Sequence, residues 1–294
     1  MTNISKNYSL LVMHFIVVLL GFTGVLGKLI DLESSILVWY RMLFAFGFLV
    51  IFIALTKKGF NVTTSNFIKI LGVGVVVAAH WLFFFKSIKV SNISVAVVCM
   101  ATSSLFSAFL EPLFFRRKIN YREVIFSVLV IIGLSYAMNA DTSYFLGYVY
   151  GIIAAFFATL FTILNAVFIK KVSATNITTI EMLAGVLLFT IYFGINGTLN
   201  MQSLNLTLTD LYYLLVLGGV CTSFAFVVSV EVMKHLSPYS VIMAVNLEPI
   251  YSVVLALLIF KDSETMTPSF YIGGLIILIT VFLDGYLKAK HKEK

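Results

Sequence analysis

Few residues in this 294-residue chain can do chemistry, and most of them lie where charge is expensive. Arg41, His80, Glu111, Glu181, Glu231 and Glu248 fall inside or at the edge of long apolar runs, and Asn165 and Asn246 add amides at similar depth. An ionisable group in such a run reads as functional by default. Glu248 precedes Pro249, whose ring removes the hydrogen bond to the carbonyl of Val245, so a carboxylate and a freed carbonyl share one point. Glu248 and Asn246 are therefore expected to line a site for a solute or a proton, with a structural clamp between helices as the rival reading. His80 can exchange protons near neutral pH, and its neighbour Trp81 can stack on an aromatic or cationic group. Packing is the alternative for both. The Asn165 amide needs partners at any depth in hydrocarbon.

Arg41 and Glu181 occupy matching positions of two apolar segments, a turn or two inside each. Each is expected to pair locally and to form part of a gate on its own side, with Glu111 or Glu231 contributing; for Arg41 the alternative is a side chain snorkelling to the interface. Cys99 and Cys221 lie in apolar surroundings and read as small hydrophobes. No spacing of His, Cys, Asp and Glu marks a metal, and no GxxxxGK[ST] loop marks a nucleotide. Neither a metal nor a cofactor is expected.

The surroundings of these residues explain their cost. The chain is 61% apolar and 11% charged, whereas a soluble domain carries about 25% charged residues. Apolar segments recur at about 9–27, 35–56, 67–88, 92–115, 122–138, 145–168, 178–195, 210–234, 238–260 and 269–287. Barrel strands are about half that length and alternate in polarity, so these segments are expected to be helices. Ser237-Pro238 and Thr267-Pro268 place a hydroxyl cap before a first-turn proline, and Asn120 with Glu123 resembles a capping box. The first segment lacks a cleavage signal and reads as retained.

With the N-terminus inside, Lys6, Lys57, Lys58, Lys69, Arg116, Arg117, Lys118, Arg122, Lys170, Lys171, Lys234, Lys288, Lys290, Lys292 and Lys294 fall on the cytoplasmic side, 15 of the 20 basic residues. Lys28, Lys86, Lys89 and Lys261 fall on the other, a bias that places both termini inside. The net charge of +7 thus reports orientation, not nucleic acid.

The segments also repeat. Ser91-Asn-Ile-Ser94-Val95 matches Ser237-Pro-Tyr-Ser240-Val241 at an offset of 146, as do Leu71-Gly72 and Leu217-Gly218. The fifth segment fits the tenth, and the second fits the seventh. Residues 1–140 and 141–294 therefore read as two copies of a five-helix unit, the second followed by a basic tail. Five is odd, so the second copy enters the membrane from the opposite face. The expected fold is all-α and integral to the membrane, ten transmembrane helices in two inverted-topology repeats, the architecture of secondary transporters.

Leu247-Glu248-Pro249, the run from Tyr251 to Phe260, Lys261-Asp262-Ser263-Glu264, Gly273-Gly274, Arg41 and Gly21 with Lys28 together resemble the drug/metabolite transporter superfamily, in its EamA-type members. Ser103 stands where that family usually has a proline. The resemblance implies a carrier of small metabolites, amino acids or amphipathic solutes, in the export direction, in a bacterial inner membrane. Its central cavity would lie among the first, third, fourth, sixth, eighth and ninth helices, and Tyr251 joins the candidate site residues. Membrane lipids and a small-molecule substrate are the expected partners, and a homodimer stays open. The rival classes are a lipid-modifying membrane enzyme, for which no clustered acidic or His/Asp constellation is visible, and a non-transporting receptor.

Overall fold

A computed structural model describes residues 3–57, 59–140, 142–197 and 205–292; Lys58 and Lys294 of the basic set above lie outside them. Among the described residues ten helical segments follow one another. Six of the first seven are single helices: α1 (Asn3–Leu29), α2 (Ser34–Thr56), α3 (Thr64–Val90), α6 (Tyr121–Ala140), α7 (Phe145–Phe168) and α8 (Ala174–Asn196). The fourth is broken into α4 (Ile93–Met100) and α5 (Ser103–Phe115), and the ninth into α11 (Pro238–Val245) and α12 (Glu248–Phe260). The eighth runs α9 (Leu208–Gly218), a π-helical turn (Gly219–Phe224) and α10 (Ala225–Val232). The tenth is α13 (Pro268–Lys292). Among the described residues nine segments are long and apolar enough to cross a membrane, while the apolar stretch found in α13 is the shorter Pro268–Thr280.

The outward faces are apolar too. Leu55, Ile68, Ile125, Ile191 and Leu258 are among the most exposed large side chains, positions that a water-soluble bundle would fill with charge. The protein is a multi-pass membrane protein, and its solvent-facing apolar surface is matched to lipid.

Segment ends follow the capping chemistry. Thr63, Asn92, Ser173, Thr207 and Ser237 each accept a backbone N–H two or three residues into the helix that follows. At the Asn120–Glu123 pair, Asn120 accepts the N–H of Arg122 at 3.1 Å, and Glu123 makes a charge-assisted pair with the Arg117 guanidinium at 2.8 Å.

The packing repeats itself between the halves. The third segment packs on the sixth and seventh, as the eighth packs on the first and second; the fourth packs on the sixth as the ninth packs on the first. The pairs second–seventh, fourth–ninth and fifth–tenth map onto themselves. Helix boundaries revise the register read from the sequence: α4 and α5 correspond to α11 and α12 at an offset of 145, not 146, so that Asn92 is the counterpart of Ser237, Ala101 of Asn246 and Ser103 of Glu248.

Glycines set the closest contacts. A Cβ on Gly74 would meet the Glu181 carbonyl oxygen at 2.6 Å, and one on Gly218 would meet the Arg41 carbonyl oxygen at 3.2 Å, so the backbones of α3 and α8, and of α9 and α2, touch at corresponding points of the two halves. A Cβ on Gly72 meets nothing within 4 Å. Gly74→Ala is therefore expected to cost about 1–3 kcal/mol by overpacking, seen as a lowered melting temperature in detergent, while Gly72→Ala leaves it unchanged. Equal melting temperatures for the two variants would contradict the α3–α8 contact.

Candidate functional site

The two broken segments pack on each other, α4 on α12 and α5 on α11, and residues at both breaks line one cavity. In the ninth segment Pro249 cannot donate an amide, and the chain passes through Asn246 and Leu247 before α12 begins. The fourth segment makes the same break without proline. Thr102 donates its hydroxyl to the Cys99 carbonyl at 2.7 Å and Ser104 donates to the Ala101 carbonyl at 2.9 Å, hydroxyl competition that loosens the ladder. The first turns of α5 and α12 thus reach the cavity, through Ser103 and Glu248. A half-helix N-terminus carries partial positive charge and favours a carboxylate such as Glu248 beside it.

The cavity holds about 100 Å³ and draws its walls from the first, second, third, fourth, sixth, eighth and ninth segments. The second segment is an addition to the set that the family resemblance implies, and it brings Arg41. That side chain does not snorkel. It is 1% exposed, with its guanidinium stacked 3.9 Å from the centre of the Trp81 ring and 5.6 Å from that of Phe85. Its Nε donates to Thr222 Oγ1 at 2.7 Å. Thr222 lies in the π turn, where its hydroxyl donates to the Leu217 carbonyl five residues back at 2.7 Å, and Ser223 repeats the pattern onto Gly218. The widened turn rotates Thr222 toward α2, a use of the π-bulge common at functional sites.

What distinguishes this cavity is its unmet hydrogen bonding. Thr23 Oγ1, Arg41 Nη1 and both amide atoms of Asn165 and Asn246 are buried without a protein partner, and all four residues line the wall. No hydrogen bond or ion pair engages the Glu248 carboxylate among the described residues, although it shares the cavity with Arg41. Buried polar atoms are normally paired. Six orphans around one space call for water or a solute to complete them. His80 completes the ring: its Nδ1 lies 2.9 Å from the Ala154 carbonyl oxygen, an acceptor only, so Nδ1 carries the proton and Nε2 of the neutral ring is left as an acceptor. Part of the remaining wall is aromatic, with Trp81 edge-on to Phe226 at 5.6 Å and Phe161 at 5.4 Å from both Phe226 and His80.

The structure therefore gathers His80, Trp81, Asn165, Asn246 and Glu248 at one place and adds Arg41, which sequence reasoning had placed at a gate. Tyr251 lies elsewhere: its hydroxyl bonds His14 Nε2 at 2.8 Å and its Cβ packs against Gly21. Glu181, fully buried, faces Asn165 from behind the cavity wall. Glu231 is exposed and pairs with Lys234, just past the end of α10. Glu111 caps α11 by accepting the Tyr239 N–H at 3.1 Å, with Arg117 Nε at 3.5 Å. At the start of α4, Glu264 plays the same part. It accepts the N–H groups of Ile93 and Ser94 at 3.1 and 3.2 Å and pairs with Lys28 Nζ at 2.7 Å. Its polar run was visible in the sequence; its distant partners, 170 and 171 residues away, were not. Thr222 was missed because helical spacing gives no sign of a π turn.

A family model described as the EamA-like transporter family matches residues 7–138 and 145–284. The chain belongs to that family, with two EamA repeats. One solved structure, described as "Crystal structure of protein", matches with a TM-score of 0.72 over 98% of this chain and 100% of its own, at 14% identity, a likeness of fold alone. Comparison with curated protein sequences returns no match.

Thr222→Val leaves the buried Arg41 Nε unpaired, at a cost of about 1–3 kcal/mol, and should lower the melting temperature more than Ser229→Ala, which removes a single bond within its own helix. Arg41→Leu should also change Trp81 emission, an effect that Trp81→Phe abolishes; unaltered fluorescence would contradict the stacked contact.

Proposed function

We propose that this chain is a secondary carrier of a small zwitterionic solute of the amino-acid type, working by alternating access in a bacterial inner membrane in the export direction. The observation that carries the reading is the convergence of a half-satisfied guanidinium, an unpaired carboxylate and two unpaired amides on one cavity. A solute carboxylate would take the free Nη1 of Arg41 and a solute ammonium would take Glu248, while Trp81, Phe161 and Phe226 receive an apolar body. Charge-assisted bonds of this kind are about twice as strong as neutral ones, and the aromatic shelf supplies area without further polar demand.

The charge bias of the loops and the odd number of helices per repeat support ten spans in inverted halves, residues 1–140 and 141–294, with both termini in the cytoplasm. The exchange of equivalent packing partners between the halves suits a cavity at their interface. Glu264 with Lys28 and Glu111 with Arg117 tie the entrances of α4 and α11, and serve as closures at the two ends. No covalent step is required of any residue.

Counterflow of radiolabelled amino acids into liposomes holding the purified full-length chain tests the reading. Flux is expected for at least one zwitterion and for no neutral sugar, and Arg41→Gln or Glu248→Gln should lower it roughly tenfold or more, the worth of one charged hydrogen bond. Absence of flux across the amino-acid panel, or full flux in both variants, rejects the proposal; headgroup turnover in the same liposomes would favour a lipid-modifying enzyme instead.

A further inference from the structure

Behind the cavity wall lies a second polar cluster, of which the solute reading uses only Asn165. Glu181 is fully buried, and neither carboxyl oxygen makes a hydrogen bond. The Asn165 amide faces it, itself with neither atom bonded. Thr178 stands one turn earlier on the same face of α8, fully buried, and its hydroxyl also lacks a partner. The elements packed on α8 bring Arg41 and Tyr40 on α2, Lys69, His80, Lys86 and Lys89 on α3, and Glu231 on α10, yet none forms an ion pair with Glu181. The α3 backbone at Gly74 closes directly over the Glu181 backbone, which leaves no room there for a shielding side chain.

An ionised carboxylate without a cation or a hydrogen bond in a hydrocarbon-clad interior is far more costly than a neutral one. A carboxyl in such surroundings holds its proton. The two orphaned donors beside it, Asn165 Nδ2 and Thr178 Oγ, are the groups that an ionised Glu181 would need, and Asn165 is also part of the cavity wall. The cluster thus holds unused donors for an ionised Glu181 and has one member in contact with the space where water or solute enters.

We propose that Glu181, Asn165 and Thr178 form a proton-binding site, loaded in the present conformation, that exchanges its proton with the central cavity past Asn165. The proton leaves a Glu181 carboxyl oxygen for cavity water, and the resulting carboxylate accepts hydrogen bonds from Asn165 and Thr178. Residence of the proton on Glu181 does not depend on the carrier reading; its exchange with the cavity as a coupling step does.

Infrared spectroscopy of the full-length chain in phosphatidylethanolamine–phosphatidylglycerol liposomes at neutral pH tests this. A carbonyl absorption of a neutral carboxylic acid is expected in the wild type and in Glu248→Gln, lost in Glu181→Gln, and shifted in Asn165→Ala and Thr178→Val. An isotopic downshift in D₂O is expected as the site exchanges with cavity water. A band that survives Glu181→Gln overturns the assignment, as does one erased by sodium ions, which would make the site a metal-cation site. Should Glu181→Gln not fold, a band unmoved in both neighbouring variants overturns it equally. A band that fails to exchange in D₂O overturns the coupling step while leaving solute flux, measured by counterflow, untouched.

Discussion

Hydrocarbon accepts no unpaired polar group cheaply, and that single constraint organises this molecule. Helices satisfy the backbone internally, and small residues let them approach until little space is left between them. Wherever a polar side chain is admitted, the fold must then supply a partner or a cavity. At the two helix entrances it supplies partners: Glu264 receives two amides and Lys28, and Glu111 receives an amide and Arg117. At the centre it supplies a cavity, and six of the ten buried side-chain atoms left unsatisfied among the described residues collect around it.

Duplication explains the frame of that cavity, and divergence explains its chemistry. Equivalent breaks arise from a proline in one half and from two hydroxyls in the other, two ways of withdrawing a backbone hydrogen bond. Because the breaks coincide, the residues at them can differ freely: Glu248 faces the cavity where Ser103 does in the first copy. The same holds for Arg41 and Glu181, both eight residues into their helices and both held against a glycine of a neighbouring segment. One copy has placed a cation in the central wall and the other a carboxyl just behind it. A symmetric pair of like charges at these sites would have lacked both a counter-charge and a reason to discriminate between the ends of a solute.

The frame was legible in the sequence and the fine geometry was not. Apolar run length and cap residues located the ten segments to within a few residues, because both are local properties of the chain. The depth of His80, Asn165, Asn246 and Glu248 was equally local, and these residues do face one cavity. Arg41 had two destinations open to it, because a long side chain near a helix end can turn to the interface or to the interior, and Thr222 on a π turn draws it inward. Tyr251 was included on resemblance, whereas its rotation about α12 turns it to His14. The offset of 146 erred by one because matched serines invite alignment, yet the structural equivalent of the Ser237 cap is Asn92, which performs the same capping with an amide.

The broken segments also connect the ends of the molecule to its centre. α4 begins under the Glu264 cap and ends at Met100 in the cavity wall; α11 begins under the Glu111 cap and ends at Val245, again in the wall. Each is only eight residues long, about 12 Å, and is set off from α5 or α12 by the break at Ala101–Thr102 or Asn246–Leu247. In the alternating access proposed above, release of a cap would remove a charge from a helix N-terminus and let that short helix turn as a unit, with the break absorbing the rotation. A continuous helix would carry such a rotation across the whole membrane. The break would confine it to one half, which is what opening one end of a cavity at a time demands.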